Sequence, residues 1–196
     1  MILKIFIYNS TNITIDELLD SKYLTTDDKT SFEKYKNLDV KKEKVISTIL
    51  KNKYIGKYYL NEFGKPVSDD IYFNISHSHG YVVFVMDDAP VGIDIEKISH
   101  AEQDLIDYVS NDEEKKYIHD DQSFYEIWTN KEALVKAVGT GIKTNLKNIN
   151  GLPINGNRLF EGKIYCNKTI MYDNYILTVS RQKDEHYDLE VVEEDL

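Results

Sequence analysis

The chain has 196 residues, a formal net charge of −10 and a single cysteine, Cys166. The acidic balance excludes a general nucleic-acid binder, which needs basic surface. The lone cysteine excludes an intrachain disulfide and fits a reducing cytoplasm, and no apolar run approaches the ~20 residues of a membrane span. Residues 2–8 read as a first strand rather than a signal peptide, because a basic leader and a small-residue cleavage site are missing. Residues 27–53 are lysine-rich, with Val45, Ile46, Ile49 and Leu50 at helical spacing. "NEFGKP" at 61–66 reads as a turn punctuated by Gly64 and Pro66. "IYFNISH" (71–77), "YVVFVMD" (81–87) and residues 91–96 read as a three-stranded antiparallel meander, its first hairpin closed at "SHG".

In the second half, Ser110 with Glu113 and Ser123 with Glu126 read as capping boxes. The second opens a helix over about 124–138 that Gly139 stops. Strands are expected at 162–166, 169–179 and 187–192, with the acidic end "VVEEDL" a fraying strand end. Helix then strands, twice over, predicts an α+β fold of two similar lobes meeting near residues 97–103.

The chemistry concentrates in "VGIDIEKI", residues 91–98. A strand has a period of two, so Val91, Ile93 and Ile95 face one way while Gly92, Asp94 and Glu96 face the other. Two carboxylates about 7 Å apart on one face repel unless something positive joins them. The helix at 124–138 carries Trp128, Glu132 and Lys136 at spacings of four, beside an apolar stripe of Phe124, Trp128 and Val135. If this helix packs on the 91–96 strand, three carboxylates and a lysine converge, and three oxygen ligands with open positions suit Mg²⁺. Each motif alone has a plainer reading: D-x-E is common on strands, and a Glu/Lys pair at this spacing is more often a surface ion pair worth ~0.3–0.5 kcal/mol.

Taken together, four blocks resemble a known family. "GKP" (64–66), "FNISHS" (73–78), "VGIDIEKI" and "WTNKEALVKAVGTGI" (128–142) are similar, in order, to the 4′-phosphopantetheinyl transferases of the surfactin-synthetase-activating type. The resemblance implies two pseudo-symmetric lobes, 1–98 and 99–196, with coenzyme A in the cleft between them. It implies transfer of phosphopantetheine from coenzyme A to a serine of an acyl or peptidyl carrier protein, with release of adenosine 3′,5′-bisphosphate. Asp94, Glu96 and Glu132 match the family's Mg²⁺ ligands, and Lys136 the lysine beside the pyrophosphate. Lys65, Ser76 and His77 match positions that contact coenzyme A phosphates. Glu132, or a water beside the ion, would take the serine proton.

The chain departs from the family at 41–44. The family usually places arginine there for the 3′-phosphate, and this chain has "KKEK", so Lys42, or its neighbours Lys41 and Lys44, must serve. Carrier docking is expected after Ile98 or on the 139–154 loop with Lys143 and Lys147. A cytoplasmic monomer without nucleic-acid or membrane partners is expected. A non-catalytic binder of coenzyme A or of a carrier, and a Mg²⁺-dependent phosphodiester or pyrophosphate hydrolase, are the competing classes.

Other signals have plainer readings. "HSH" at 77–79 lacks a further Cys or His for zinc. "GTG" at 139–141 ends a helix where a dinucleotide fingerprint must open one. Ser76 and His77 face opposite ways and cannot pair as nucleophile and base. Trp128 and Cys166 are expected in the core.

Overall fold

The computed structural model describes residues 1–139, 141 and 145–193. Its first elements are β1 (Ile2–Asn9), α1 (Ile15–Leu19), α2 (Thr26–Ser31), α3 (Leu38–Tyr54), β2 (Tyr59–Leu60), β3 (Pro66–Val67), β4 (Tyr72–Ser78), β5 (Tyr81–Asp87) and β6 (Val91–Lys97). Then come α4 (Gln103–Val109), α5 (Asp112–Tyr117), α6 (Asp121–Val138), β7 (Gly156–Phe160), β8 (Lys163–Tyr172), β9 (Tyr175–Arg181) and β10 (Asp188–Glu193). The result is a mixed α+β architecture. One sheet runs β10-β1-β5-β4, with β10 parallel to β1 and the other pairs antiparallel. A second, wholly antiparallel sheet runs β6-β9-β8-β7.

Strand alternation sets the layers. Val82 and Phe84 of β5 turn toward α3 and meet its buried Val45, Ile46, Ile49 and Leu50. Val83 and Val85 turn the other way, with Leu3, Ile5 and Ile7, onto Val91, Ile93, Ile95, Leu177 and Val179 of the second sheet. Helix, sheet, sheet and helix therefore stack, with α6 on the outer face of the second sheet.

Several expectations are corrected. Residues 91–97 do not extend the β4–β5 hairpin into a meander, because β6 pairs with β9. Its Val/Ile face packs on the first sheet instead of continuing it. By strand pairing, residues 188–193 belong with the first sheet. The capping boxes lie elsewhere: Asn111 with Glu114, since Ser110 is buried, and Asp120 with Ser123, which starts α6 three residues early. Gly139 does close α6, at φ 81°. The expected fraying end beyond 193 and Lys143 lie outside the described residues.

Gly92 fixes how near α6 comes. A Cβ there would sit 2.1 Å from the Ala133 carbonyl oxygen and 2.3 Å from the Ala137 nitrogen. Backbone meets backbone, and no rotamer change relieves such a clash. Gly92→Ala is expected to cost roughly 3 kcal/mol or more, read as a melting temperature lowered by about 6–12 °C.

Candidate active site

Gly92, Asp94 and Glu96 share the β6 face under α6, and α6 turns Glu132 and Lys136 toward them. The edge strand β4 of the first sheet closes the third side. A pocket of about 420 Å³ results, lined by Ser76, His77, Asp94, Glu96, Trp128, Glu132 and Lys136 among others. The sequence-predicted carboxylates and lysine are thus brought to one place.

Their contacts are specific. The Lys136 ammonium donates to Asp94 Oδ1 at 2.6 Å and to Ser76 Oγ at 2.9 Å. Ser76 Oγ donates in turn to Asp94 Oδ1 at 2.8 Å. The other Asp94 oxygen, Oδ2, is buried without a hydrogen-bond partner among the described residues. Glu96 Oε2 accepts from Ser78 Oγ at 2.9 Å. Burial pushes the Glu96 carboxyl up to about 7, with the charges of Asp94 and Glu132 adding to it against Ser78 and Lys136. Burial also raises Glu132, again helped by Asp94 and opposed by Lys136.

That electrostatic pattern favours a cation. A buried carboxylate oxygen left unpaired is costly, and burial together with the neighbouring negative charge raises both Glu96 and Glu132. The donor set is all oxygen, as a hard divalent ion prefers. No group of three or more His, Cys, Asp or Glu side chains among the described residues forms a ready-made metal cage.

The other predicted residues are placed differently. His77 points toward α3, with Nδ1 3.0 Å from Glu43 Oε2 and Nε2 3.3 Å from the Lys44 ammonium. A proton on Nδ1 donates to Glu43. Burial pushes Glu43 up, but the hydrogen bond and charge of His77 outweigh it and hold the carboxyl below its ordinary value. Lys42 lies away from this group, its ammonium 3.3 Å from the Ser10 carbonyl oxygen. Lys65 donates to the Lys136 carbonyl at the end of α6, at 2.5 Å, and burial lowers it to about 8. It lines a second pocket of about 260 Å³ with Phe63, Asn74, Glu132 and Lys136.

Trp128 is only partly buried. It packs against Phe124 and also lines the carboxylate pocket, so its expected core role is half right. Lys131 is the residue that sequence reasoning missed. It is fully buried, paired with Glu114 Oε2 at 2.5 Å and donating to the Val109 and Leu146 carbonyls. The signal was available: Lys131 falls on the same helical stripe as Phe124, Ile127 and Leu134, and a lysine there demands a buried carboxylate.

A family model of the 4′-phosphopantetheinyl transferase superfamily matches residues 90–187, half of the chain. The chain belongs to that superfamily. Among its curated relatives is the 4′-phosphopantetheinyl transferase gsp of Aneurinibacillus migulanus, 42% identical over 42% of this chain and 38% of the relative. The 4′-phosphopantetheinyl transferase Sfp of Bacillus subtilis (strain 168) is 32% identical over 46% of this chain and 44% of the relative. A putative 4′-phosphopantetheinyl transferase of Haemophilus influenzae is 33% identical over 50% of this chain and 47% of the relative. The matched segments span less than half of these relatives' lengths. The superfamily match contains β6 and α6 whole, and so Asp94, Glu96, Glu132 and Lys136; Lys65, Ser76 and His77 precede it.

The raised Glu96 carboxyl has a measurable consequence. Its folded value lies above the ordinary 4.5. The folded chain then holds this proton more tightly than the unfolded chain. Glu96's contribution is most favourable below the ordinary value and is lost as pH rises from about 4.5 to 7. In chelator-treated protein, Glu96→Gln is expected to melt higher than the parent at pH 8, by an amount of order 1–3 kcal/mol or roughly 2–12 °C. The difference should vanish toward pH 4.5; thermal melts across pH check it.

Proposed function

We propose that this chain transfers the 4′-phosphopantetheine arm of coenzyme A to a serine of an acyl or peptidyl carrier protein, releasing adenosine 3′,5′-bisphosphate. The observation that carries the reading is the meeting of Asp94, Glu96, Glu132 and Lys136 around one pocket in a chain of this superfamily. The unpaired Asp94 Oδ2 and the raised Glu96 and Glu132 carboxyls fit a divalent cation held by Asp94, Glu96 and Glu132. Mg²⁺ there would neutralise the carboxylates and the pyrophosphate of the bound substrate.

The chain's own groups divide the remaining work. Phosphoryl transfer asks a protein mainly for positioning and charge neutralisation. Lys136 reaches the pocket on a flexible stem and places its ammonium beside the charge that develops on the leaving bisphosphate. Glu132, raised by burial, is a suitable acceptor for the serine proton. Lys65 supplies a donor to phosphate oxygens, and Ser76 and His77 would do so on releasing Asp94 and Glu43, which they contact here. For the 3′-phosphate, Lys44 replaces Lys42 as the favoured lysine, because it stands against His77 while Lys42 is turned to Ser10.

The lobe reading rests on strand order: β1-β5-β4 in one sheet parallels β6-β9-β8 in the other, each with a long helix on its outer face. We take residues 1–98 and 99–196 as the two lobes with β6 and β10 exchanged between their sheets, and coenzyme A in the cleft. The carrier would dock after Ile98 or near Lys147, and neither reading needs a second chain. No helix among the described residues is long and apolar enough to cross a membrane, and the cytoplasm, where coenzyme A and carrier proteins meet, is the proposed location.

The direct test incubates the chain with coenzyme A, Mg²⁺ and an apo carrier protein. The expected result is a carrier heavier by one phosphopantetheinyl arm. Free phosphopantetheine with unmodified carrier would instead mean hydrolysis, and no change would mean binding only. Asp94→Ala and Glu132→Gln are each expected to lower the transfer rate at least about 100-fold, with the circular dichroism spectrum retained. Wild-type rates in either variant would remove the carboxylate assignment.

Substrate binding separates from turnover elsewhere in the site. His77→Ala and Lys44→Ala are expected to raise the KM for coenzyme A roughly tenfold to a hundredfold, the range for a lost charged hydrogen bond, with kcat changed little. Steady-state kinetics over coenzyme A concentration checks this.

A further inference from the structure

β4 and β6 lie side by side without a backbone ladder, and polar side chains on one face of β4 bridge the gap. Asn74 Oδ1 accepts the Ile93 N–H at 2.9 Å. Ser76 reaches Asp94. Ser78, two residues on, is 6% exposed and makes three contacts. Its Oγ donates to Glu96 Oε2 at 2.9 Å, accepts the Lys97 N–H at 3.3 Å and lies 3.1 Å from His79 Nδ1. A hydroxyl has one proton. The Lys97 amide donates into the oxygen, and with the His79 ring proton on Nδ1 that nitrogen does the same, which leaves the hydroxyl proton to the Glu96 carboxylate.

We infer that Ser78 is a positioning residue for divalent-cation binding: it fixes the Glu96 carboxylate by its Oε2 oxygen and presents Oε1 to the pocket. No hydrogen bond among the described residues engages Oε1. Left alone, Glu96 would turn from Asp94, which repels it from two residues along the same strand face. Ser78 opposes that turn from a strand in the other sheet. Its own rotamer is held by the Lys97 amide, so the carboxylate is aimed by a group that is itself fixed. Ser76 stands in the same relation to Asp94, but it also touches Lys136, whereas Ser78 acts on Glu96 alone among the three carboxylates.

The inference rests on the proposal that Asp94, Glu96 and Glu132 hold a divalent ion, and the experiment separates the two. Mn²⁺ alone is titrated into chelator-stripped full chain, and free Mn²⁺ is read by electron paramagnetic resonance. Ser78→Ala is expected to weaken Mn²⁺ binding about 10- to 100-fold, the usual effect of removing a group that orients a ligand. Ser78→Thr, which keeps the hydroxyl, should restore it to within roughly threefold. In a Glu96→Ala background, Ser78→Ala should add no further loss, because the group it positions is gone. Unweakened binding in Ser78→Ala, or an equal loss with and without Glu96, overturns the inference while leaving the cation proposal standing. If the wild-type chain binds no Mn²⁺, the cation proposal falls and this inference falls with it.

Discussion

The approach of α6 to β6 at Gly92 is the contact on which the rest of the site depends. With no side chain between them, the helix backbone lies within van der Waals reach of the strand, and Lys136 spans the short gap to Asp94. Distance alone would not fix the site, because a helix can also rotate about its axis. Lys131 opposes rotation: its buried ammonium is tied to Glu114 and to two carbonyls on the far side. Removing one partner of such a pair typically costs ~3–5 kcal/mol, since a bare charge stays buried. Thr129 and Asn130 add hydrogen bonds to Thr178 and Asn167 of the sheet below. In the stretch Thr129–Lys136 the two functions are interleaved. Thr129, Asn130 and Lys131 hold the helix, and Glu132 and Lys136 face the pocket.

A site held this firmly can sustain unfavourable electrostatics. Three carboxyls and one ammonium share a partly desolvated pocket, and burial with mutual repulsion raises both Glu96 and Glu132. The two hydroxyls of β4 soften this without cancelling it. A bound cation would relieve the residual deficit of positive charge. The cost of that deficit is carried by the packing of α6 and by the apolar interface of the two sheets.

Much of this was legible in residues 91–98 and 128–139. Period two on the strand and period four on the helix correctly paired Asp94 and Glu96 with Glu132 and Lys136, and Gly139 correctly ended the helix. What was not legible follows from the range of each signal. The apparent meander failed because alternation says which faces are apolar and not which strand is the neighbour: Val91, Ile93 and Ile95 suit packing on a sheet as well as joining it. The capping boxes slipped because Ser, Asn and Asp compete at adjacent positions, and burial of Ser110 decides the contest in favour of Asn111. Ser78 was invisible because its role depends on Lys97 and Glu96, nearly twenty residues away on a strand of the other sheet.

The scarcity of arginine shapes how this chain can recognise anions. Both arginines are committed to structure. Arg158 is spent on the Asn130 side chain and the carbonyls of Asn150, Gly151 and Pro153. Arg181 is buried against Asp87 and Asp88, where it ties the end of β5 to the end of β9. Among the described residues, the basic side chains left near the pocket are Lys44, Lys65, Lys136 and His77. An ammonium is a point charge without the fork that selects an anion by shape. Selectivity then has to come from where each charge is held. His77 is pinned by Glu43 on one side and Lys44 on the other, Lys65 by the last turn of α6, and Lys136 by Asp94 and Ser76. Fixed placement substitutes for fixed geometry, and this is why the tether of each cation matters as much as the cation itself.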